Sequence, residues 1–262
     1  MKAQEIIDYL NKQGTWVNWE NTRDVILYGD PTIEVNKVGV CWVLTMKALK
    51  QAIAEGINFI ISHENPYYEA TTIHTKRFLL GAEEKRALMQ EHNICAIRCH
   101  DVWDKIPVVG VSDIWAKTLG FPFKPRDLNS FNMYADFPMM KVRDVALQIA
   151  VKLAPYGQDA VQIFGNPDQE ITSLVIGTGA AIDVNNMLTK PADALVASDD
   201  GCMTYAGIQY CLDHDIPVIR VNHAQSEIPG MLSMVDYLKS NLAVEAIYLP
   251  EGYDMTTICA KK

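Results

Sequence analysis

Three apolar runs in this chain end on a histidine with a carboxylate close behind. "NFIISHENPYYE" (58–69) stops on His63 and Glu64, "ICAIRCHDVWD" (94–104) on His100 followed by Asp101 and Asp104, and "IPVIRVNHAQSE" (216–227) on His223 followed by Glu227. Imidazole nitrogens and carboxylate oxygens are donors for divalent metal ions. One ion rarely needs so many, whereas two ions about 3.5–4 Å apart would use them, with a carboxylate or water bridging. Two divalent ions bring four positive charges against the three negative charges of Glu64, Asp104 and Glu227. A bridging hydroxide would supply the rest and would be a nucleophile at neutral pH, because a bound metal lowers the pKa of water. Each cluster taken alone has an ordinary reading: a hydrogen-bonded structural histidine, and carboxylates that cap turns or face solvent. His74, His92 and His214 take that reading, the last two near predicted helix ends, where a cation complements the helix dipole. Three strand ends of the same kind in one chain favour the metal reading.

The elements that must position these residues alternate. Strand-like runs fall at 38–44, 57–61, 94–99, 161–164, 173–176, 194–197, 216–221 and 245–249, and helical patterns at 3–13, 45–55, 79–92, 141–154, 203–214 and 230–240. In "TMKALKQAIAEG" (45–56), Met46, Leu49, Ala52 and Ile53 follow helical spacing, with Thr45 to cap the start and Gly56 the end. Such alternation predicts an α/β fold of two lobes with mixed, partly parallel sheets. The proline- and aromatic-rich stretch 120–140, with a short strand near Met133–Phe137, reads as the passage between lobes. We expect residues 1–122 plus 228–262 in the first lobe, 123–227 in the second, and a metal site between them. In open α/β sheets, ligands collect outside the carboxyl ends of strands, where all three histidines stand.

Bulk properties narrow the function. The chain has 262 residues, 49% of them hydrophobic, enough for one large domain or two modest ones. Its 32 acidic and 23 basic residues give a net charge of −9, with no basic block to suit a nucleic-acid surface. It has no apolar segment of about 18 residues that would span a membrane, and "MKAQEIIDYLNKQG" lacks the apolar centre of a signal peptide. Both absences point to the cytoplasm. The six cysteines are scattered and read as reduced, mostly buried thiols. Cys95 and Cys99 on one strand would be about 13 Å apart, too far for one ion or a disulfide.

With these motifs in hand, the chain resembles the Nif-three-like dinuclear-metal family, whose members often carry the label of GTP cyclohydrolase I type two homologues. The resemblance runs over nearly the whole chain: "YGDP" (28–31), "SHENP", "RCHDVWD", "IGTGA" (176–180) and, most specifically, "NHAQSEIPGM" (222–231). It implies a two-metal site held by His63, Glu64, Asp104, His223 and Glu227, with His100 as ligand or support and Asp101 as a substitute for Asp104. It also implies a ring-shaped homohexamer, the short form without an inserted domain. Glu64 stands where the family commonly has a second histidine, which makes the site harder and more anionic and favours Mn, Fe or Mg over Zn. Asp199 or Asp200 of "ASDDG" stands where the family often has a glutamate.

Weaker signals have bland readings. "IGTGAAID" is a tight turn rather than a phosphate loop, Ser226 is a cap for a helix from about Pro229 to Ser240, and Trp103 either walls the site or packs in the core. Tyr67 and Tyr68 either stack on a planar substrate or pack against a neighbouring lobe or subunit, and Arg98 and Arg220 either clamp an anion or pair with acidic groups. The leading reading is a dinuclear-metal protein holding two divalent ions (Mn, Fe, Zn or Mg). It would act as a hydrolase on a nucleotide or small phosphorylated metabolite through a metal-bound hydroxide, with Glu64, Asp101 or Asp199 moving the proton. The alternative is a non-catalytic metal-binding assembly, storage or regulatory protein.

Overall fold

The computed structural model describes residues 1–68, 75–179, 183–202 and 205–260. His74, Ala180 of the "IGTGA" turn and the first two positions of the expected helix 203–214 lie outside the described residues. The chain forms two compact units, residues 1–110 with 230–252 and residues 111–229 with 253–262.

The first unit runs α1 (Ala3–Gln13), β1 (Ile26–Tyr28), β2 (Val38–Val43), α2 (Met46–Ala54), β3 (Phe59–Glu64), α3 (Lys76–Glu91), β4 (Cys95–Arg98) and α4 (Asp101–Lys105). The second runs α5 (Val111–Leu119), β5 (Met133–Lys141), α6 (Val142–Leu153), β6 (Gln162–Phe164), β7 (Glu170–Ile176), α7 (Val184–Met187), β8 (Ala194–Ser198), α8 (Tyr205–Asp213) and β9 (Val218–Val221). Helix α9 (His223–Leu242) follows, then β10 (Ala246–Tyr248) in the first unit.

Each unit holds one five-stranded sheet, in the orders β1-β4-β3-β2-β10 and β5-β7-β8-β9-β6. In the first, β10, β2, β3 and β4 are parallel and β1 is antiparallel at the edge. In the second, β7, β8 and β9 are parallel between antiparallel edges β5 and β6. Both sheets are therefore mixed, as the alternation predicts. The central strands are buried on both faces, which is why "VGVCWV" and "ALVAS" are apolar throughout rather than alternating. Thr45 caps α2 by accepting from the Ala48 amide at 3.2 Å, and Gly56 follows the helix with φ +68, a conformation that suits glycine.

Three expectations need correction. A boundary near 122/123 would put α5 in the first lobe, but Trp115, Ala116 and Leu119 are buried in the second unit's core with Val145, Ile149 and Ile176. The tail from Tyr253 also belongs there: the Gln225 side-chain amide donates to the Tyr253 carbonyl at 2.7 Å, and the Met255 amide to the Gly157 carbonyl at 2.8 Å. Finally, α9 begins at His223, not near Pro229. Ser226 is inside it, with its hydroxyl donating to the His223 carbonyl at 2.7 Å.

Candidate metal centre

In the first unit, β3 delivers His63 and Glu64 at its carboxyl end, and β4 leads within two residues to His100 at the mouth of α4. Helix α4 is short and supplies no side-chain cap of its own. Asp24, from the segment before β1, does so instead: its carboxylate accepts from the backbone amides of His100, Asp101 at 3.1 Å and Val102 at 2.9 Å. Three otherwise unsatisfied helix-start donors are satisfied by one carboxylate, which fixes where His100 and Asp104 stand. Burial raises the Asp24 pKa, an effect that the amide bonds from His100 and Val102 offset only in part.

His63 is fully buried. Its Nδ1 lies 3.1 Å from the Cys99 carbonyl, which can only accept, so Nδ1 carries the proton. That tautomer turns the lone pair of Nε2 toward Asp104 Oδ1, 3.3 Å away. The His100 ring stacks on His63 with centroids 4.6 Å apart. His100 Nδ1 lies 2.9 Å from Asp101 Oδ1 and 3.3 Å from Asp104 Oδ2, and its Nε2 lies 3.5 Å from Glu64 Oε1. His63, His100 and Asp104 each present a donor atom within 4.8 Å of the others, a spacing able to hold a metal ion. Asp104, rather than Asp101, joins the two imidazoles. Asp101 is taken up by its supports: Oδ2 accepts from the Thr22 hydroxyl and the Arg23 amide, both at 2.9 Å.

Opposite charges at close range set the protonation of this cluster. Burial lowers the His100 pKa, but the Asp104 charge and the bonds to Asp101 and Glu64 outweigh burial and the repulsion from His63, raising it to about 9. Burial raises the Glu64 pKa, yet the His100 hydrogen bond and the charges of His63, His100 and Arg98 bring it down to about 2. Asp101 moves the same way for like reasons: burial acts against the hydrogen bonds from His100, Arg23 and Thr22, and the bonds win. Arg98 spans the two residues at the end of β3, its Nε donating to the His63 carbonyl at 2.9 Å and its Nη2 to Glu64 Oε2 at 2.5 Å.

In the second unit, His223 opens α9 directly after β9, and Glu227 stands one helical turn on. His223 Nε2 faces Glu227 Oε2 at 3.0 Å, and Nδ1 lies 2.7 Å from Asp200 Oδ2. Asp199 accepts from the His223 amide at 2.7 Å, capping the helix from the end of β8. The Thr178 hydroxyl lies 3.3 Å from Glu227 Oε1. Gly179, at φ +75, leaves room here: a Cβ would stand 3.2 Å from Glu227 Oε1 and 3.5 Å from His223 Nε2. The donor pair, the carboxylate on the far imidazole nitrogen and the space kept by a glycine all fit a divalent ion.

All six expected ligands thus stand in polar clusters, His63, Glu64, His100 and Asp104 in one unit, His223 and Glu227 in the other. Asp24 carries no signal in its local sequence, since its partner segment is far along the chain, and Asp199 and Asp200, of which the resemblance puts one in place of a family glutamate, both hold His223. The remaining candidates take their ordinary roles. Tyr67 is buried with its hydroxyl 3.3 Å from the Leu27 carbonyl, Trp103 is buried with its indole N–H on the Gly230 carbonyl at 2.8 Å, and Arg220 pairs with Gln162 at 3.3 Å. His92 ends α3, and His214 Nδ1 lies 2.8 Å from the Tyr210 carbonyl just after α8. All six cysteines are free, and no helix among the described residues is long and apolar enough to cross a membrane.

The family model described as Duf34/NIF3 (NGG1p interacting factor 3) matches residues 1–251. A Chlamydia pneumoniae protein named GTP cyclohydrolase 1 type 2 homolog is 24% identical over 229 residues, covering 84% of this chain and 86% of that protein. Among solved structures, a Staphylococcus aureus hypothetical protein is similar with a TM-score of 0.79 at 19% identity, over 98% of this chain and 99% of that one. A Bacillus cereus protein related to NIF3 has a TM-score of 0.79 at 13% identity, over 99% of each chain. Reduced HcgD from Methanocaldococcus jannaschii has a TM-score of 0.73 at 19% identity, over 95% of this chain and 98% of that one. At these identities the structures speak for the fold.

Proposed function

Since the chain belongs to the Duf34/NIF3 family, we propose that it binds two divalent metal ions and acts as a metal-dependent hydrolase on a nucleotide or small phosphorylated metabolite. The observation that carries this reading is the convergence of His63, His100 and Asp104 donor atoms within 4.8 Å. Glu64, His223 and Glu227 complete the proposed ligand set. Bound divalent ions supply Lewis acidity and neutralise an anionic substrate in a chain of net charge −9. The nucleotide class rests on the name of the Chlamydia pneumoniae relative.

The protein's own groups prepare the donors. The Cys99 carbonyl, Asp101 and Asp200 each engage the Nδ1 of a histidine, fixing the ring and leaving Nε2 as the donor. Of the carboxylates expected to move a proton, Glu64 presents Oε1 toward His100, while Asp199 accepts from the His223 amide. Asp101, already accepting from Thr22 and Arg23, serves by orienting His100. Assembly as a homohexamer is part of this reading and is measurable by light scattering.

The test is metal content of the purified protein, followed by turnover of nucleoside triphosphates and phosphorylated small metabolites with the preferred ion. Two ions per chain and hydrolysis lost in His63→Ala are expected. Bound metal with no turnover on any substrate would leave the binding or regulatory role instead, and absence of metal affinity would end the proposal.

A further inference from the structure

Arg98 is a cation whose hydrogen bonds reach both residues that end β3. The strand places it two residues before His100, and its side chain is largely buried, with 12% exposed. Its Nε holds the His63 carbonyl and its Nη2 holds Glu64 Oε2. The guanidinium is planar and permanently charged, so these two bonds orient the Glu64 carboxylate rather than merely attract it. With Oε2 engaged, Oε1 is the oxygen turned toward His100 Nε2, at 3.5 Å. The carboxylate–guanidinium pair has no net charge, so the anionic character that Glu64 brings to the cluster is largely cancelled while its hard oxygen donor remains.

Resting on the dinuclear-metal reading, we propose that Arg98 is a positioning and specificity-determining residue that restricts Glu64 to meeting a cation through Oε1 alone. A carboxylate freed to bind through both oxygens raises the coordination number. Mn(II) and other ions that take six or more oxygen ligands accept this readily, whereas Zn(II), which prefers four, gains little. Arg98 therefore tilts the site away from high-coordinate ions and toward compact ones.

The experiment compares Mn(II) and Zn(II) affinities of wild type, Arg98→Met and the double variant Glu64→Gln/Arg98→Met by calorimetric titration, with the number of ligands around bound Mn(II) taken from X-ray absorption. Arg98→Met is expected to shift the Mn/Zn affinity ratio toward Mn by about tenfold and to add one oxygen to the atoms coordinating Mn. The double variant is expected to return the ratio to near the wild-type value. A loss of both affinities in proportion, as general loosening would give, overturns the proposal. So does an unchanged ratio, or a shift that survives in the double variant. Should circular dichroism show Arg98→Met unfolded, Arg98→Gln, with a neutral donor in place of the fork, replaces it, and the same outcomes support or overturn the proposal. Wild-type protein that binds neither ion overturns the metal reading and this inference together, whereas wild-type binding with an unchanged variant ratio overturns only the inference.

Discussion

The two units build their polar clusters with the same device, yet not to the same degree of completeness. In each, a parallel strand hands the chain to a helix with a histidine at its start, His100 just before α4 and His223 as the first residue of α9, with a carboxylate four residues on, Asp104 and Glu227. A remote aspartate accepts from the histidine's amide, Asp24 in one and Asp199 in the other. A second aspartate engages Nδ1, Asp101 at 2.9 Å and Asp200 at 2.7 Å. The first unit adds His63 and Arg98 from neighbouring strands. Among the described residues, the second adds Thr178 and the space at Gly179. Three donors converge within the first unit, whereas no group of three arises from the second unit's described residues alone. The difference teaches that a helix mouth with a histidine and a carboxylate is a reusable pair of donors. A further donor from an adjacent strand brings the group to the three that could hold an ion.

The comparison breaks most sharply under ligand deletion. His63→Ala or Asp104→Ala should weaken metal binding more than about 100-fold, beyond the range seen for losing a supporting contact, as read by metal analysis after dialysis. His223→Ala should leave one ion per chain, because the first unit keeps three donors; loss of all metal in that variant would show that neither unit binds alone. Next in size are the remote aspartates. Asp24→Ala should destabilise the protein by about 1–3 kcal/mol in denaturant unfolding, since it strips a cap and strands buried amides, and should weaken metal binding about 10–100-fold. Asp199→Ala should cost about 1 kcal/mol, as it caps a 20-residue helix that has packing of its own; equal losses would erase the distinction between a short and a long supporting helix.

The narrowest effect, confined to alkaline pH, is a titration in the first unit. Lys85 is buried, its Nζ bonded to the Pro66 carbonyl at 2.6 Å and 4.5 Å from the Tyr68 ring centroid. Burial lowers its pKa to about 8, against a smaller opposing effect of Cys41. The unfolded chain holds that proton up to about pH 10.5. Between these values the unfolded state binds more protons, so stability should rise with pH, by at most about 1.4 kcal/mol per unit. Lys85→Met should flatten that rise in urea unfolding followed across the window; an unchanged slope would mean that Lys85 titrates as an exposed lysine.

Much of this was written in local sequence. Apolar runs buried on both faces gave away the central strands, helical spacing found α2 and α6, and a histidine at each strand end marked every expected ligand. What escaped depended on partners far along the chain. Asp24 caps a helix that starts 77 positions later, and nothing around "TRDV" announces it. Strand β1 has three residues, none of them buried, too short a pattern to register, and α5 follows a turn where only its contacts with the second core assign it. Pro229 read as a helix start because proline is common there, but it sits in the second turn of a helix already begun by an aspartate cap on His223.

Gly179 contributes by what it lacks. Its positive φ is one most side chains avoid, and a methyl group there would stand tightly against Glu227 Oε1, at 3.2 Å, and in ordinary contact with His223 Nε2, at 3.5 Å. On the proposed metal reading, Gly179→Ala should act as a plug: every donor stays in the chain while the methyl group and the unfavourable φ crowd Glu227. A protein so altered would give a loaded-versus-empty reference in which no ligating atom has been removed, separating what the metal does from what its ligands do without it.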